Sequence, residues 1–241
     1  MGPQSRFHNI LKWSAGAFGL ATAAYAGCVA RAWTNYGRPS LPNAEDADPA
    51  LDRFMPLYDV AERHHIRIAA PADVAFATAC EADLNDSAIV RAIFKSRELI
   101  LGSNPEETAR PRGLLALTTS LGWGVLAEIP GREVVVGAVA QPWKANVVFR
   151  KIAPELFPTF DEPDYVKIVW TLRADPIDAT TSVFRTETRA LATDASARRA
   201  FKRYWSVFSP GIVVIRWMML RPLKSEAERR ARATTIPDYC R

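Results

Sequence analysis

The feature that most narrows the fold lies in the second half of the chain, where a series of β-rich runs gives way abruptly to a helical period. Residues 122–129 and 133–141 are β-rich runs, and Pro130-Gly131-Arg132 between them is a turn in which glycine supplies positive φ. A second hairpin is predicted from residues 165–173 and 181–191, joined through 174–178, with residues 145–152 as a candidate strand between the pairs. Thr193 or Asp194 then offers a cap oxygen to a helix in which Phe201, Tyr204, Trp205 and Phe208 recur at i, i+3, i+4, i+7. Pro210-Gly211 is expected to interrupt that helix, and Pro222 to bend the apolar run that starts at Ile212. Antiparallel strands followed by a long helix with an aromatic face bury both apolar surfaces when the sheet curves around the helix. Curvature of that kind leaves space between them.

Upstream, His64, Ile66 and Ile68 alternate and are followed by Pro71, so a strand over 62–70 enters a helix over 71–82. A second helix is predicted over 87–101, with Asn85-Asp86-Ser87 at its start. With 49% hydrophobic and 24% charged residues in 241, the chain has ample apolar surface for one core. The fold class expected is therefore α+β.

Chemistry is less legible. Cys28, Cys80 and Cys240 are too scattered for a disulfide framework or a CxxC zinc site. His8, His64 and His65 leave little for a metal cluster or a histidine triad, and no GxxxxGK[ST], GxGxxG or GxSxG is present. No metal and no cofactor are expected. The adjacent His64 and His65 point to opposite faces of their strand, and Cys80 reads as a small core residue.

The order of elements, with residues 186–216 (TETRALATDASARRAFKRYWSVFSPGIVVIR), 127–143 (AEIPGREVVVGAVAQPW) and 62–76 (ERHHIRIAAPADVAF), resembles bacterial members of the START/Bet v1-like (SRPBCC, polyketide cyclase/dehydrase-like) superfamily. The resemblance covers residues 58–230. It implies a helix-grip fold, a curved antiparallel sheet wrapped around the C-terminal helix with two short helices after the first strand. Lipid carriers, hormone receptors, aromatase/cyclases and quinone-binding proteins share that fold, so the fold alone does not fix function.

Residues 13–30 carry no charge, and Trp13, Trp33 and Tyr36 bracket them as membrane-interface aromatics do. A single-pass N-terminal anchor and a membrane location are expected, with a cleaved signal peptide as the alternative, since Ala24-Tyr25-Ala26 fits a peptidase site. Ala15, Gly19, Ala23 and Gly27 form a small-residue stripe suited to a transmembrane helix partner. The membrane segment with its flanks is placed at 1–37, a Pro/Asp-rich tether at 38–57, the helix-grip domain at 58–232 and a tail at 233–241. Ten Lys/Arg against Glu226 and Glu228 make residues 198–232 basic, as a solvated helix face or a surface for anionic lipid. Nucleic acid is not an expected partner, because no recognised motif accompanies the charge.

The strand over 182–191 alternates Phe184, Thr186, Thr188, Ala190 with Val183, Arg185, Glu187, Arg189. If the charged set faces the cavity, Glu187 and Arg189, with Glu128 from the first hairpin, would grip a polar ligand group. If it faces solvent, the charges pair across strands. Trp123, Trp170 and Trp205 are the aromatic candidates for lining a hydrophobic site. The function expected is membrane-tethered binding of a lipid, isoprenoid or quinone-like molecule. The alternatives are a cyclase or dehydratase acting on a hydrophobic carbonyl substrate, and a structural adaptor with a filled core. No catalytic residue is assigned.

Overall fold

The computed structural model describes residues 19–20, 22–83, 93, 95–96, 99–102 and 111–235. In chain order these form helix α1 (22–35), a 3-10 turn (Ala44–Asp46), α2 (Pro49–Phe54), β1 (Val60–Ile68), α3 (Ala72–Glu81), α4 (Leu114–Ser120), β2 (Gly124–Ile129), β3 (Glu133–Ala140), β4 (Val166–Asp178), β5 (Thr181–Ala192) and α5 (Ala195–Thr235). Of the helix expected over 87–101, residues 93, 95–96 and 99–101 are helical, and the others lie outside the described residues.

The five strands form one antiparallel sheet in the order β1-β5-β4-β3-β2. Gly131 takes φ 70° in the β2–β3 turn, as its neighbours require. The second hairpin is longer than expected, because residues 174–178 continue β4 rather than forming a loop. A register shift between Pro176 and Asp178 accommodates the proline near the hairpin end, where Asp178 accepts the Thr180 N–H at 2.8 Å. Residues 145–152 contribute a single bridge, Val139 to Arg150, and no full strand.

α5 runs unbroken for 41 residues through both Pro210 and Pro222, so the expected interruption does not occur. Asp194 Oδ1 accepts from the N–H groups of Ser196 and Ala197 at 2.6 and 2.8 Å and starts the helix. Each proline removes one internal hydrogen bond, but the apolar stripe continues past both. Phe201, Trp205, Ile215, Leu220, Leu223 and Ala227 are all buried, and tertiary packing outweighs the local break. This curved sheet with a long C-terminal helix across it is a helix-grip fold.

The sheet is buried on both faces. On the face toward α5 lie Ile68, Val134, Val136, Trp170, Leu172 and Phe184, packed with Phe76 of α3 and Leu220 and Leu223 of α5. Val135, Val139 and Val169 point the other way and pack with Leu51, Phe54, Met55 and Phe157. The segment expected to be a free tether is therefore a cover: Leu51, Phe54 and Met55 are at most 2% exposed. Asp48 Oδ1 caps α2 by accepting the Leu51 N–H at 2.9 Å. A Pro- and Asp-rich composition here encodes helix starts and ion pairs, not solvation.

The expected membrane location is also corrected. No helix among the described residues is long and apolar enough to cross a membrane, and residues 1–18 and 21 lie outside them. Helix α1 instead lies beside the start of α5. The Tyr25 hydroxyl donates to the Val207 carbonyl, Lys202 Nζ sits 4.4 Å from the Trp33 ring centre, and Tyr36 meets Phe201 edge-on at 6.1 Å. Trp33 and Tyr36, read as interface anchors, thus contact protein, while Trp13 lies outside the described residues. Four of the ten basic residues of the C-terminal run are ion-paired, through Arg198–Asp59, Lys224–Glu228, Arg229–Glu226 and Arg230–Glu81.

Candidate functional site

Antiparallel register decides which side chains meet beneath α5. β5 sets Thr186 opposite His64 and Thr188 opposite Glu62 of β1, while Thr188 also faces Trp170 of β4, itself opposite Val136 of β3. Period-two alternation keeps all of these on the α5 side of the sheet. Between them and the helix is a cavity of about 290 Å³. Trp170, Leu172, Phe184 and Thr186 form its floor, and Ile212, Ile215, Arg216, Met219, Leu220 and Leu223 of α5 form its roof. Ala79 and Ala82, Leu114 and Thr118, and Trp123 close its sides. The volume is near the lower end of the range for small-molecule sites, roughly 300–1,000 Å³.

Nearly every lining atom is apolar. Trp123 stands edge-on to Trp170 at 6.5 Å and is backed by Phe149 at 5.0 Å, so two indoles hold each other in place. The Thr118 hydroxyl is committed to the Leu114 carbonyl at 2.7 Å. What remains polar is a cluster at one end. Arg216 Nη1 donates to Thr186 Oγ1 at 2.8 Å and Nη2 donates to Thr188 Oγ1. Both threonines are under 10% exposed, so the guanidinium ends in protein although the residue as a whole is half-buried. Burial pushes the Arg216 pKa down to about 10, with the charge of Glu62 opposing, and the group remains a cation at neutral pH.

Glu62 and His64 share this face of β1. Burial raises the Glu62 pKa, against the opposing charges of Arg216, Arg31 and Arg63. Burial, then Arg216 and His65, lowers that of His64, which favours the neutral imidazole. The Nε2 atom of His64 is buried without a hydrogen-bond partner. An apolar chamber with a guanidinium at one end is suited to an amphiphile, and His64 is not among the residues that line it.

Of the sequence candidates, Trp123 and Trp170 line the cavity. Trp205 packs with Tyr36, Val60 and Phe201 in a separate cluster. Glu128 is exposed on the edge strand β2, where its charge adds to burial in raising the Cys80 thiol to about 11. Glu187 and Arg189 point away from the cavity, yet not into solvent. Arg189 is fully buried under the 40–57 segment, donating to Glu187 at 2.7 Å, to Asp52 at 2.5 Å and to the Met55 carbonyl at 2.8 Å. Glu187 also pairs with Arg63 at 2.8 Å. These charges hold the cover rather than border the cavity. Sequence reasoning missed Arg216, and a signal existed: it sits at i+4 from Ile212 on the stripe continued by Met219, Leu220 and Leu223.

No protein-family model and no curated protein matches the chain. Among solved structures it is similar to protein CV1439 from Chromobacterium violaceum, at 10% identity and TM-score 0.26 over 64% of this chain and 96% of that one. It is similar to the Zhui aromatase/cyclase from a Streptomyces species, at 14% identity and TM-score 0.23 over 73% and 97%. A Thermus thermophilus protein, TTHA0849, gives 10% identity and TM-score 0.25 over 73% and 99%. Likeness at that level leaves function to the chain's own residues.

Proposed function

We propose that this protein binds a hydrophobic small molecule in the chamber between the sheet and α5. The observation that carries the reading is the chamber itself: about 290 Å³ walled by Trp, Phe, Leu, Ile, Met and Ala side chains, with Thr118, Thr186 and Arg216 as its polar lining. Filling such a space with hydrocarbon gains about 25 cal/mol per Å² of apolar surface removed from water. The resemblance of residues 58–230 to the START/Bet v1-like superfamily supports the same reading, since ligands of that superfamily occupy this position.

Nile red, a neutral hydrophobic dye, tests it. Wild-type protein is expected to bind one equivalent with a blue-shifted emission, and Met219→Trp, which fills the roof from a half-buried position, is expected to abolish binding while leaving the far-ultraviolet circular dichroism unchanged. Binding of equal strength in a folded Met219→Trp variant, or none in the wild type, would overturn the proposal.

A further inference from the structure

Among the described residues, the arginines packed against the two faces of the sheet divide into two groups. Those on the face of the sheet away from α5 each have a carboxylate: Arg63 pairs with Glu187 at 2.8 Å, Arg173 with Asp175 at 2.8 Å, Arg185 with Asp46 at 2.9 Å and Arg189 with Asp52 at 2.5 Å. Arg216, on the cavity side, does not. Its guanidinium donates only to the neutral hydroxyl oxygens of Thr186 and Thr188 among the described residues. Glu62 is the acidic group whose charge bears on it, and that acts without an ion pair.

A partly desolvated cation without a counterion is costly, and a protein that pairs its other buried arginines has left this one open toward an apolar chamber. The two threonines orient the guanidinium from the sheet side, which leaves N–H groups free for a further acceptor. The guanidinium makes a receptor for a planar, singly charged oxyanion. A phosphate dianion would need more cations than one arginine beside an acidic residue supplies.

We infer that the ligand is a hydrophobic carboxylic acid, its carboxylate received by Arg216 and its hydrocarbon body lying against Trp170, Leu172, Phe184 and Leu220. This rests on the chamber being a binding site and adds the head group. Binding energy then comes from two separable parts. Apolar burial sets how tightly any hydrocarbon of the right size is held, and the charge-assisted hydrogen bonds set the preference for the acid.

Calorimetric titration of the full chain with decanoate and with 1-decanol, both below their aggregation limits, separates the two. Wild-type protein is expected to bind decanoate about 10- to 100-fold more tightly than decanol, the range for charge-assisted hydrogen bonds to a buried guanidinium. Arg216→Met is expected to bring the acid down to the affinity of the alcohol, and Arg216→Lys to keep an intermediate preference. Should Arg216→Met not fold, Thr188→Val removes one orienting oxygen at constant shape and is expected to reduce the preference several-fold. Equal affinities in the wild type, or an undiminished preference in folded Arg216→Met, would overturn the head-group assignment and leave the chamber reading standing. Failure of both compounds and of Nile red to bind would overturn the chamber reading and this inference together.

Discussion

Glu133 shows how one buried carboxyl shapes the behaviour of the fold with pH. It is 5% exposed at the start of β3, and its Oε1 has no hydrogen-bond partner. Burial, followed by the Asp48 carboxylate beside it, pushes its pKa up to about 7, although Arg173 pulls the other way. In the unfolded chain the same group titrates near 4.5. Between those values the folded state holds a proton that the unfolded state has released, so the stability conferred is complete below about pH 4.5 and is lost as pH rises through about 7. Glu133→Gln keeps the neutral form at every pH. We expect the variant to match the wild type at pH 5 and to exceed it by about 1–3 kcal/mol at pH 8, in urea unfolding followed by circular dichroism. A wild-type stability that rises between pH 5 and pH 8 in proportion to Glu133 would contradict the assignment. Arg189 marks the limit of reading from sequence at this scale. Alternation along β5 separated it from Thr186 and Thr188 correctly, but both faces of the strand are buried, and period two alone does not say which one meets the cavity. The deciding residues, Asp52 and Met55, lie more than 130 positions upstream.

At the scale of elements, local chemistry was legible and its limits were set by packing. The β2–β3 hairpin, the entry of β1 into α3 at Pro71 and the Asp194 cap all follow from short-range signals. Pro176 and Pro210 misled because proline reports a missing donor and not the strength of the contacts around it. The first sits at a bulge near a strand end, and the second in a helix that buries Trp205, Ser209 and Ile215 on either side of it. The junction between α4 and β2 depends on one glycine. Gly122 takes φ 97°, and a Cβ added there would collide with the Phe149 carbonyl oxygen, a backbone atom that cannot swing aside. Because Trp123 follows directly, displacement of this corner also moves an indole that walls the chamber. Gly122→Ala is expected to cost about 2–4 kcal/mol, combining left-handed strain with overpacking, and to weaken Nile red binding. The same substitution at Gly27 in α1, where a Cβ meets nothing within 4 Å, serves as the control. Its effect on unfolding is expected to be stabilising by up to about 1 kcal/mol.

For the molecule as a whole, the sheet separates two chemistries. The α5 side holds an apolar chamber with one unmatched cation, and the opposite side holds a covering segment fastened by arginines from the strands. Arg63 reaches the Ser40 carbonyl at 2.8 Å, Arg173 the Ala47 carbonyl at 2.8 Å, and Arg185 and Arg189 the carboxylates of Asp46 and Asp52. Beneath those bonds Leu51, Phe54 and Met55 complete a cluster with Val135, Val139, Phe157 and Val169. Three such side chains at about 1.5–3 kcal/mol each form a large share of a net stability of about 5–15 kcal/mol, before the cost of ordering the segment is subtracted. A boundary at residue 58, where composition places the start of the domain, therefore cuts through the core. We expect a chain beginning at residue 58 to lose cooperative urea unfolding or to aggregate, because it bares Val135, Val139 and Val169 and leaves Arg189 buried beside unmatched space. A chain beginning at residue 36 keeps the cover and the Tyr36–Asp59 hydrogen bond, and it is expected to unfold cooperatively. Within the full chain, Leu51→Ala isolates the apolar contribution and is expected to cost about 2–5 kcal/mol, as for other fully buried leucines. Equal midpoints for the two truncated chains, with a Leu51→Ala loss below about 0.5 kcal/mol, would mean that the cover is accessory and that the sheet is stabilised from the α5 side alone.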